Sequence, residues 1–547
     1  MNITGRLLDR ILKLPPAETY DIIIRRNIKV PMPDGVTLLA DHYAPREGPK
    51  RPTILVRSPY GRGPVFSATH AIPFAERGYQ VLLQSCRGTA GSGGDFVYAR
   101  NEHADGLATI EWIKQQDWYS GELAMLGESY LGFVQWAVAA YAGADLKALV
   151  PAITTSDFNH FRYQGGTITL ESILGWSTMM TSLASKGLQL SSIGEMVKQR
   201  RLLDKAYNHL PLREADELVI GQQSPPFQSM MQYDPEDVYW HPTDFSHTLQ
   251  DVTVPVNLIA GWYDLFLYWQ LKDYQRLRAA GKQPYLLIGP WFHAQPSSLG
   301  PTLYETLNWL NAHVKGDYTG LRKNPVRLFV MGANQWRDFA DWPPPATTER
   351  WYLQPGGGLA PTSPAESEPD HYRYNPVDPT PAVGGNSLGV YMGPKDNREL
   401  ESRRDVLVYT SAPLEQDLEV IGPVTAELYV RSSLEYTDFF TRLCVVEPSG
   451  KSINLCDGII RLQPGKGTSA PQADGSRCVR IELWPTAYRF RRGQRIRVQV
   501  SSGAHPRFPR NTGSGERIGF ETTLRLADQT IYHDPAHPSV ILLPVVN

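Results

Sequence analysis

Short apolar runs alternate with segments of helical periodicity in two parts of the chain. The runs occupy residues 53–57, 79–84, 123–126, 148–151, 254–260 and 283–289, and a helical pattern over 102–116 lies between two of them. Continuous apolar runs of this length are typical of strands buried on both faces, and helices between them place such strands in a parallel sheet. The sequence therefore predicts an α/β fold, which begins with an antiparallel hairpin at Pro33-Asp34-Gly35.

Residues 154–248 interrupt this alternation. They contain few strand-like runs and several helical ones, including those over 168–184 and 195–206. An insertion of this kind over a parallel sheet commonly walls a substrate cavity. We therefore predict a helical cap, whose large apolar side chains either shape a pocket or simply pack the core. The candidates are Trp176, Met179 and Met180.

The composition changes over residues 341–385, where proline and glycine cluster. Beyond this point, the segments 424–431, 441–446, 478–483 and 494–501 alternate apolar and polar residues at period two. This pattern predicts an antiparallel β-sandwich, and a jelly roll is the expected topology. The predicted domains are the first part of the α/β core (1–153), the helical cap (154–248), the second part of the core (249–345) and the β-sandwich (346–547).

Size and charge exclude several classes of function. At 547 residues the chain is longer than one hydrophobic core usually organises. Its formal net charge of −2 offers no basic field to a nucleic acid backbone, and no apolar segment reaches the roughly 18 residues of a membrane helix. Charged residues recur among the leucines of residues 1–20, unlike a signal peptide. We therefore expect a cytoplasmic protein without nucleic acid or membrane partners.

The four cysteines have no Cys-x-x-Cys spacing and are far apart in the sequence. Such spacing supports neither a zinc site nor a redox motif, so we predict no metal and no other cofactor. Reduced structural thiols are expected, and a disulfide among the last three cysteines stays open. The four are Cys86, Cys444, Cys456 and Cys478.

Residues 127–132, Gly-Glu-Ser-Tyr-Leu-Gly, lie where an apolar strand gives way to an apolar helix. A strand–turn–helix junction with a serine at its apex can serve as a nucleophile elbow. Glycine lets the backbone turn sharply, and the helix N-terminal amides face any negative charge that forms nearby. The strict pattern has glycine where Leu131 stands, and here the glycine is Gly132. Ser129 is therefore a candidate nucleophile for acyl transfer, the alternative being an ordinary strand–helix connection.

A serine nucleophile needs a base and an acid that orients the base. Asp264 follows the predicted strand 254–260, and His293 follows the predicted strand 283–289. Both positions lie just past a strand's carboxyl end, where parallel α/β sheets bind ligands. The order Ser129, Asp264, His293 is the order found in α/β-hydrolases. Asp157 remains an alternative orienting acid.

The oxyanion of a tetrahedral intermediate needs about two preorganised donors. The backbone N–H of Tyr130, which follows the candidate nucleophile, is one. Tyr60 lies on the loop after an early strand, where this fold usually provides the second donor, so its phenol is a candidate. The alternative is a tyrosine that packs beneath the loop.

The chain resembles the CocE/NonD family of serine hydrolases, which is related to α-amino acid ester hydrolases and X-Pro dipeptidyl peptidases. The similarity extends over essentially the whole chain. It rests on Arg57-Ser58-Pro59-Tyr60, Cys86-Arg87-Gly88, the residues 127–132, Gly261-Trp262-Tyr263-Asp264, Gly289-Pro290-Trp291-Phe292-His293 and Pro506-Arg507-Phe508.

This resemblance implies an α/β-hydrolase core, an inserted helical cap and a C-terminal jelly roll. It also implies that Ser129 is the nucleophile, His293 the base and Asp264 its orienter, with the Tyr60 hydroxyl and the Tyr130 amide as oxyanion donors. In the family the jelly roll contributes to the substrate pocket. The candidate aromatic walls are therefore Trp176, Phe266, Phe439 and Phe440.

Two departures bear on the substrate. X-Pro dipeptidyl peptidases carry a large helical domain ahead of the core, whereas only about 20 residues precede the first strand here, which disfavours that activity. The related α-amino acid ester hydrolases bind the substrate ammonium with a carboxylate cluster, which we cannot assign in this sequence. Glu128 leaves a cation-binding role open, although a structural role is favoured.

We therefore expect a small-molecule esterase for apolar or aromatic acyl groups. Two alternatives use the same triad: an acylase or amidase, and an α-amino acid ester hydrolase. A third alternative is a non-catalytic protein that binds a glycan on its β-sandwich. A homo-oligomer is compatible with the sequence.

Overall fold

The computed structural model describes residues 10–186, 193–465 and 470–546. The strands of its first two-thirds are β1 (Ile22–Pro31), β2 (Thr37–Pro45), β3 (Thr53–Ser58), β4 (Gln80–Ser85), β5 (Leu123–Glu128), β6 (Leu146–Ala152), β7 (Tyr163–Gln164), β8 (Thr167–Ile168), β9 (Asn257–Tyr263), β10 (Tyr285–Phe292), β11 (Val326–Val330) and β12 (Gln335–Phe339). Ten of them form one sheet in the order β1-β2-β4-β3-β5-β6-β9-β10-β11-β12, and β7 pairs with β8 separately.

The strands from β4 to β11 in this sheet run parallel to one another, and the two ends of the sheet are antiparallel. The entry hairpin β1–β2 turns through Gly35, whose φ of 85° favours glycine. The predicted α/β class and the predicted hairpin are confirmed.

Helices cover both faces of the sheet. Their bounds are α1 (Pro64–His70), α2 (Ile72–Ala75), α3 (Glu102–Lys114), α4 (Tyr130–Ala139), α5 (Leu170–Lys186), α6 (Ile193–Ala206), α7 (Ala215–Ile220), α8 (Pro225–Gln232), α9 (Leu267–Ala279), α10 (Leu299–Lys315) and α11 (Arg398–Glu401). On β3, Leu55 packs in one apolar core with α3 and α4, whereas Ile54 and Val56 pack in a second core with α2 and α10. Alternate strand residues thus serve opposite faces, which explains the continuous apolar runs.

Residues 154–248 add no described strand to the ten-stranded sheet. They carry α5 to α8 and the short β7–β8 pair, in agreement with a helical insertion. The two predicted helices correspond to Leu170–Lys186 and Ile193–Ala206. Met180 is fully buried, whereas Met179 is 38% exposed.

The C-terminal part of the chain is rich in β structure, as predicted. Its strands are β13 (Thr347–Gln354), β14 (Gly358–Ala360), β15 (Asp370–Tyr374), β16 (Leu407–Ser411), β17 (Leu418–Ser432), β18 (Thr437–Val446), β19 (Ser452–Leu462), β20 (Arg477–Phe490), β21 (Arg495–Ser501), β22 (Ala527–Tyr532) and β23 (Val540–Val545). They pair in the order β15-β22-β17-β23-β13-β14-β16-β21-β18-β19, and β20 pairs with β17. The jelly-roll topology and the four domain boundaries stay predictions.

None of the four cysteines forms a disulfide. Across the described residues, no helix combines the length and the apolar character needed to cross a membrane. Within the same residues, histidine, cysteine and acidic side chains do not gather in groups of three or more that could hold a metal ion.

Candidate active site

Ser129 lies at the turn between β5 and α4, with a φ of 58° and a ψ of −123°. A positive φ is uncommon for a residue with a side chain, and such strain is typical of functional turns. The turn is held by two hydrogen bonds: the Ser129 N–H donates to the Ala152 carbonyl at 2.9 Å, and the Thr154 hydroxyl donates to the Ser129 carbonyl at 2.7 Å.

The two flanking glycines are required by close packing. Gly127 has a φ of 145°, and a Cβ at this position would collide with Leu131. A Cβ at Gly132 would collide with the side chain of Thr154. The leucine at position 131 thus packs onto the first glycine, while the second lets α4 approach the chain that leaves β6. The sequence departs from the strict elbow pattern without losing its geometry.

Ser129, His293 and Asp264 form a continuous hydrogen-bonded chain. The Ser129 Oγ lies 3.1 Å from His293 Nε2, and His293 Nδ1 lies 2.7 Å from Asp264 Oδ2. Asp264 is fully buried, and its Oδ1 accepts a hydrogen bond from the Phe266 N–H at 2.8 Å. Because an ionised carboxylate only accepts hydrogen bonds, His293 carries its proton on Nδ1 and offers Nε2 to the serine hydroxyl.

Three parallel strands bring these side chains together. Ser129 follows β5, Asp264 follows β9 and His293 follows β10, all at the carboxyl edge of the sheet. The alternative acid, Asp157, lies elsewhere: its Oδ2 is 2.7 Å from His160 Nδ1. The structure therefore brings together the three residues predicted for the triad and gives Asp157 a different partner.

The Tyr60 hydroxyl lies beside the nucleophile. It accepts a hydrogen bond from Trp176 Nε1 at 3.1 Å and also interacts with the Ser129 side chain. Burial raises the pKa of Tyr60 to about 12, although the hydrogen bonds with Trp176 and Ser129 lower it. The phenol therefore keeps its proton at neutral pH and can donate it.

Tyr130 is the first residue of α4, so its backbone N–H has no acceptor within the helix. Its side chain points to a different partner, since its hydroxyl donates to Glu102 Oε1 at 2.8 Å. The Tyr60 phenol and the Tyr130 backbone N–H thus both lie next to Ser129, and their role as oxyanion donors stays a prediction.

Ser129 and His293 line a cavity of about 470 Å³ between the core and the helical cap. Such a volume is typical of a small-molecule site. Trp176 and Phe266, both predicted as pocket walls, line this cavity. The aromatic residues in its wall include Tyr60, Tyr98, Phe158, Phe161, Trp176 and Phe266.

Phe439 and Phe440 do not line the cavity, so the prediction for these two residues is wrong. They lie on β18, which is paired on both sides by β19 and β21. Phe439 is fully buried in the main apolar core, and Phe440 packs with Phe508 in a smaller cluster. The C-terminal part reaches the cavity through a loop instead, at Leu388 and Gly389.

Several residues of the cavity wall were not predicted from the sequence. Phe158 and Phe161 follow β6 at the carboxyl edge of the sheet, the same position that identified Asp264, so this signal was available. Leu388 and Glu171 also line the cavity. No local pattern distinguishes these two, because their position depends on contacts between distant segments.

Glu128, the residue before the nucleophile, also faces the cavity, and 40% of its side chain is exposed. Its Oε2 lies 2.7 Å from Nε2 of the buried His70, whose Nδ1 lies 2.7 Å from Thr69 Oγ1. Burial lowers the pKa of His70, but the charge of Glu128 and the hydrogen bond between them outweigh it, so this pKa is raised. Burial likewise raises the pKa of Glu128, and His70 reverses that effect. The two groups form a hydrogen-bonded pair beside the nucleophile, in which each favours the charged form of the other.

Two family patterns match the chain. The pattern of the X-Pro dipeptidyl-peptidase (S15) family matches residues 34–295, which include Ser129, Asp264 and His293. The pattern of the X-Pro dipeptidyl-peptidase C-terminal non-catalytic domain matches residues 320–542.

The chain is similar to a cocaine esterase from Rhodococcus sp. (strain MB1 Bresler), with 33% identity over 96% of this chain and 98% of the relative. Among solved structures, an aminopeptidase from the marine sediment archaeon Thaumarchaeota archaeon has a TM-score of 0.82 at 23% identity, over 97% of this chain and 98% of that one. An α-amino acid ester hydrolase has a TM-score of 0.81 at 21% identity, with the same coverage of 97% and 98%. These two structures share the fold of this chain.

Proposed function

Because the chain belongs to the CocE/NonD family of serine hydrolases and is a serine carboxylic ester hydrolase, we propose that Ser129 is its nucleophile. His293 is then the general base, and Asp264 orients it. The observation that carries this proposal is the hydrogen-bonded chain from Ser129 Oγ through His293 to Asp264, at 3.1 and 2.7 Å, which opens into the aromatic cavity.

In the acylation step, Ser129 Oγ attacks the ester carbonyl carbon while its proton moves to His293 Nε2. The carbonyl oxygen becomes an oxyanion, which accepts hydrogen bonds from the Tyr60 hydroxyl and the Tyr130 amide. The tetrahedral intermediate then collapses, the bond to the alcohol oxygen breaks, and His293 returns its proton to the departing alcohol. The acyl group remains on Ser129.

Deacylation repeats these roles with water as the nucleophile. His293 removes a proton from water, the resulting oxygen attacks the acyl carbon, and the same two donors stabilise the second oxyanion. Collapse breaks the bond to Ser129 Oγ, which recovers its proton from His293. The products are the carboxylic acid and the free enzyme, and no external oxidant or reductant enters the balance.

The residues of the cavity wall favour substrates with small apolar or aromatic acyl groups. Its aromatic rings offer large apolar surfaces at positions fixed by packing: Phe158 stacks on Phe266 at 5.5 Å, and Trp176 stacks on Tyr130 at 6.2 Å. Burying an aromatic acyl group against such rings gains free energy from both area and ring geometry. An anionic acyl group would lose its hydration against these apolar rings, so it should be disfavoured.

The test compares a phenyl ester and an anilide of the same benzoic acid, with acetyl and succinyl esters of the same alcohol as acyl controls. We expect ester cleavage, with kcat/KM highest for benzoyl and lowest for succinyl. Ser129→Ala removes one hydroxyl and should abolish turnover with an unchanged Tm. A fluorophosphonate should label the peptide that contains Ser129, as read by mass spectrometry.

Ester cleavage that persists in Ser129→Ala, or labelling at another serine, contradicts the assignment. Anilide cleavage as fast as ester cleavage favours the acylase or amidase alternative, which uses the same three residues. A preference for succinyl over benzoyl contradicts the substrate class and leaves the triad intact.

A further inference from the structure

Residues 384–393 belong to the C-terminal part of the chain, yet they reach the active site. Leu388 and Gly389 line the cavity. Gly393 packs against the residue before the catalytic histidine, since a Cβ at this position would lie 3.1 Å from Phe292 Cδ1. The segment is closed on itself by reciprocal backbone hydrogen bonds between Gly385 and Gly393, each of 2.9 Å. It is therefore a defined loop that contacts the site.

Asn386 extends from this loop to the turn that carries Asp264. Its Nδ2 donates to the Asp264 carbonyl at 2.9 Å and to the Trp262 carbonyl at 3.2 Å. The Asn386 side chain is buried, and the residue is 4% exposed. One side-chain amide from the C-terminal part thus bonds both the end of β9, at Trp262, and Asp264, the first residue after this strand.

These two carbonyls lie where the regular pairing of β9 with β10 breaks down. Gly261 pairs with Gly289, but Tyr263 pairs with Phe292, so the register shifts at the level of Trp262. Backbone groups at such an irregularity lose ladder partners, and buried carbonyls need a donor from elsewhere. Asn386 supplies donors at this point.

The position of the Asp264 carboxylate depends on this turn. The Asp264 N–H donates to the Gly261 carbonyl at 3.0 Å, and the Leu267 N–H donates to the Asp264 carbonyl at 3.2 Å. With the Asn386 bond added, the backbone on both sides of the Asp264 Cα is held. Since Oδ2 of the same residue bonds His293 Nδ1, a rotation of this turn would misplace the imidazole.

We propose that Asn386 is a positioning residue for ester hydrolysis, which holds the Asp264 turn in the conformation that keeps His293 oriented toward Ser129. This inference rests on the proposed triad. It assigns part of the active site to the region that matches a domain pattern described as non-catalytic.

The test compares Asn386→Ala and Asn386→Asp with a matched control in the same region. Asn511 is 7% exposed and donates its Nδ2 to Asp438 Oδ1 at 2.7 Å, and neither residue lines the catalytic cavity. Asn511→Ala therefore also removes a buried amide donor from the C-terminal part. Three quantities are measured for each variant: Tm, the kcat and KM for the benzoyl ester, and the downfield proton NMR signal of His293 Nδ1–H, identified by its loss in Asp264→Ala.

We expect both Asn386 variants to lower kcat about 10- to 100-fold with KM changed less than about threefold, and to shift or broaden the Nδ1–H signal. Asn511→Ala should lower Tm comparably while its kcat and its signal stay as in wild type. Asn386 variants that follow the Asn511 control in all three quantities overturn the inference. Retained activity in Ser129→Ala or Asp264→Ala overturns the proposed triad instead, so the two failures are distinguishable.

If both Asn386 variants fail to fold, Asn386→Ser decides the question. A serine at this position has a shorter side chain and at most one hydroxyl donor for the two carbonyls. Wild-type kcat and an unchanged Nδ1–H signal in folded Asn386→Ser contradict the positioning role, whereas an intermediate loss of kcat supports it.

Discussion

The indole Nε1–H of Trp176 donates a hydrogen bond to the hydroxyl oxygen of Tyr60, at 3.1 Å. Trp176 lies on α5 of the helical insertion and Tyr60 on the loop after β3, so this bond joins the cap to the core at the proposed oxyanion site. An indole N–H can only donate, and it therefore occupies a lone pair of the Tyr60 oxygen. The phenolic proton is left free to point toward the substrate.

Tyr60→Phe tests the oxyanion donor directly. The ring of Tyr60 stacks on Phe66 at 5.9 Å, and phenylalanine preserves this packing while it removes the hydroxyl. We expect kcat to fall by about 100- to 1,000-fold, the range for loss of one oxyanion donor, with little change in KM. Steady-state kinetics on the benzoyl ester measure both constants. An unchanged kcat would mean that Tyr60 contributes only packing and is not an oxyanion donor.

Trp176→Phe tests whether the cap residue acts through Tyr60. Phenylalanine keeps an aromatic ring in the cavity wall but removes the N–H donor, and we expect kcat to fall about 5- to 10-fold, which corresponds to one hydrogen bond of about 1 kcal/mol. In the Tyr60→Phe background the same substitution should have almost no effect on kcat, because its acceptor is gone. Equal effects in both backgrounds would mean that Trp176 acts only through the cavity wall.

The Glu128–His70 pair predicts that a second substitution, at Glu128, restores the kcat lost by a substitution at His70. A lone carboxylate beside Tyr60 and Ser129 would oppose the developing oxyanion, and a protonated His70, which Glu128 favours, offsets its charge. His70→Gln can keep a hydrogen bond to Glu128 but removes the positive charge, so we expect kcat to fall on the order of tenfold at neutral pH.

The double variant His70→Gln/Glu128→Gln removes both charges and should recover most of this loss. Glu128→Gln alone is the control, and kcat for a neutral ester should stay within about threefold of wild type. A double variant as slow as His70→Gln would show that the histidine matters for packing against Phe66 and not for charge.

The proposed triad could be predicted because parallel strands share one carboxyl edge, so residues that follow β5, β9 and β10 lie at the same edge whatever separates them in the sequence. The cavity wall was predictable only in part. Period-two alternation identified β18 as a strand, but Phe439 and Phe440 are both buried within the β-rich part, because this strand has neighbours on both sides and covered faces.

No comparable sequence pattern identifies residues 384–393, the loop that does reach the cavity. Asn386 and Leu388 directly follow a stretch rich in proline and glycine. Such a composition indicates a domain boundary, but it does not predict the path of the chain in the fold. The position of this loop follows from contacts of Asn386 with the end of β9 and of Ser387 with α5, which are more than 100 residues away in sequence. Tertiary packing, not local preference, therefore decides which part of the C-terminal region meets the active site.

Glu171 gives the stability of the protein a pH dependence of predictable sign. It lies on α5, accepts a hydrogen bond from Ser387 and interacts with the backbone of Val390 and Tyr391, so it links the cap to the C-terminal loop. Burial raises the pKa of Glu171 from its ordinary 4.5 to about 7, although these backbone contacts and Arg507 lower it. Between these two pH values the folded protein holds a proton that the unfolded chain has lost.

The contribution of Glu171 to stability therefore falls as pH rises from 4.5 to about 7 and stays constant above that. Glu171→Gln cannot titrate, so its Tm should rise relative to wild type across this window, by an amount that reflects on the order of 3 kcal/mol. Differential scanning calorimetry at pH 5, 6, 7 and 8 measures the difference. Glu435→Gln, at an exposed residue, is the control and should follow wild type. A constant offset between Glu171→Gln and wild type from pH 5 to pH 8 would contradict the raised pKa.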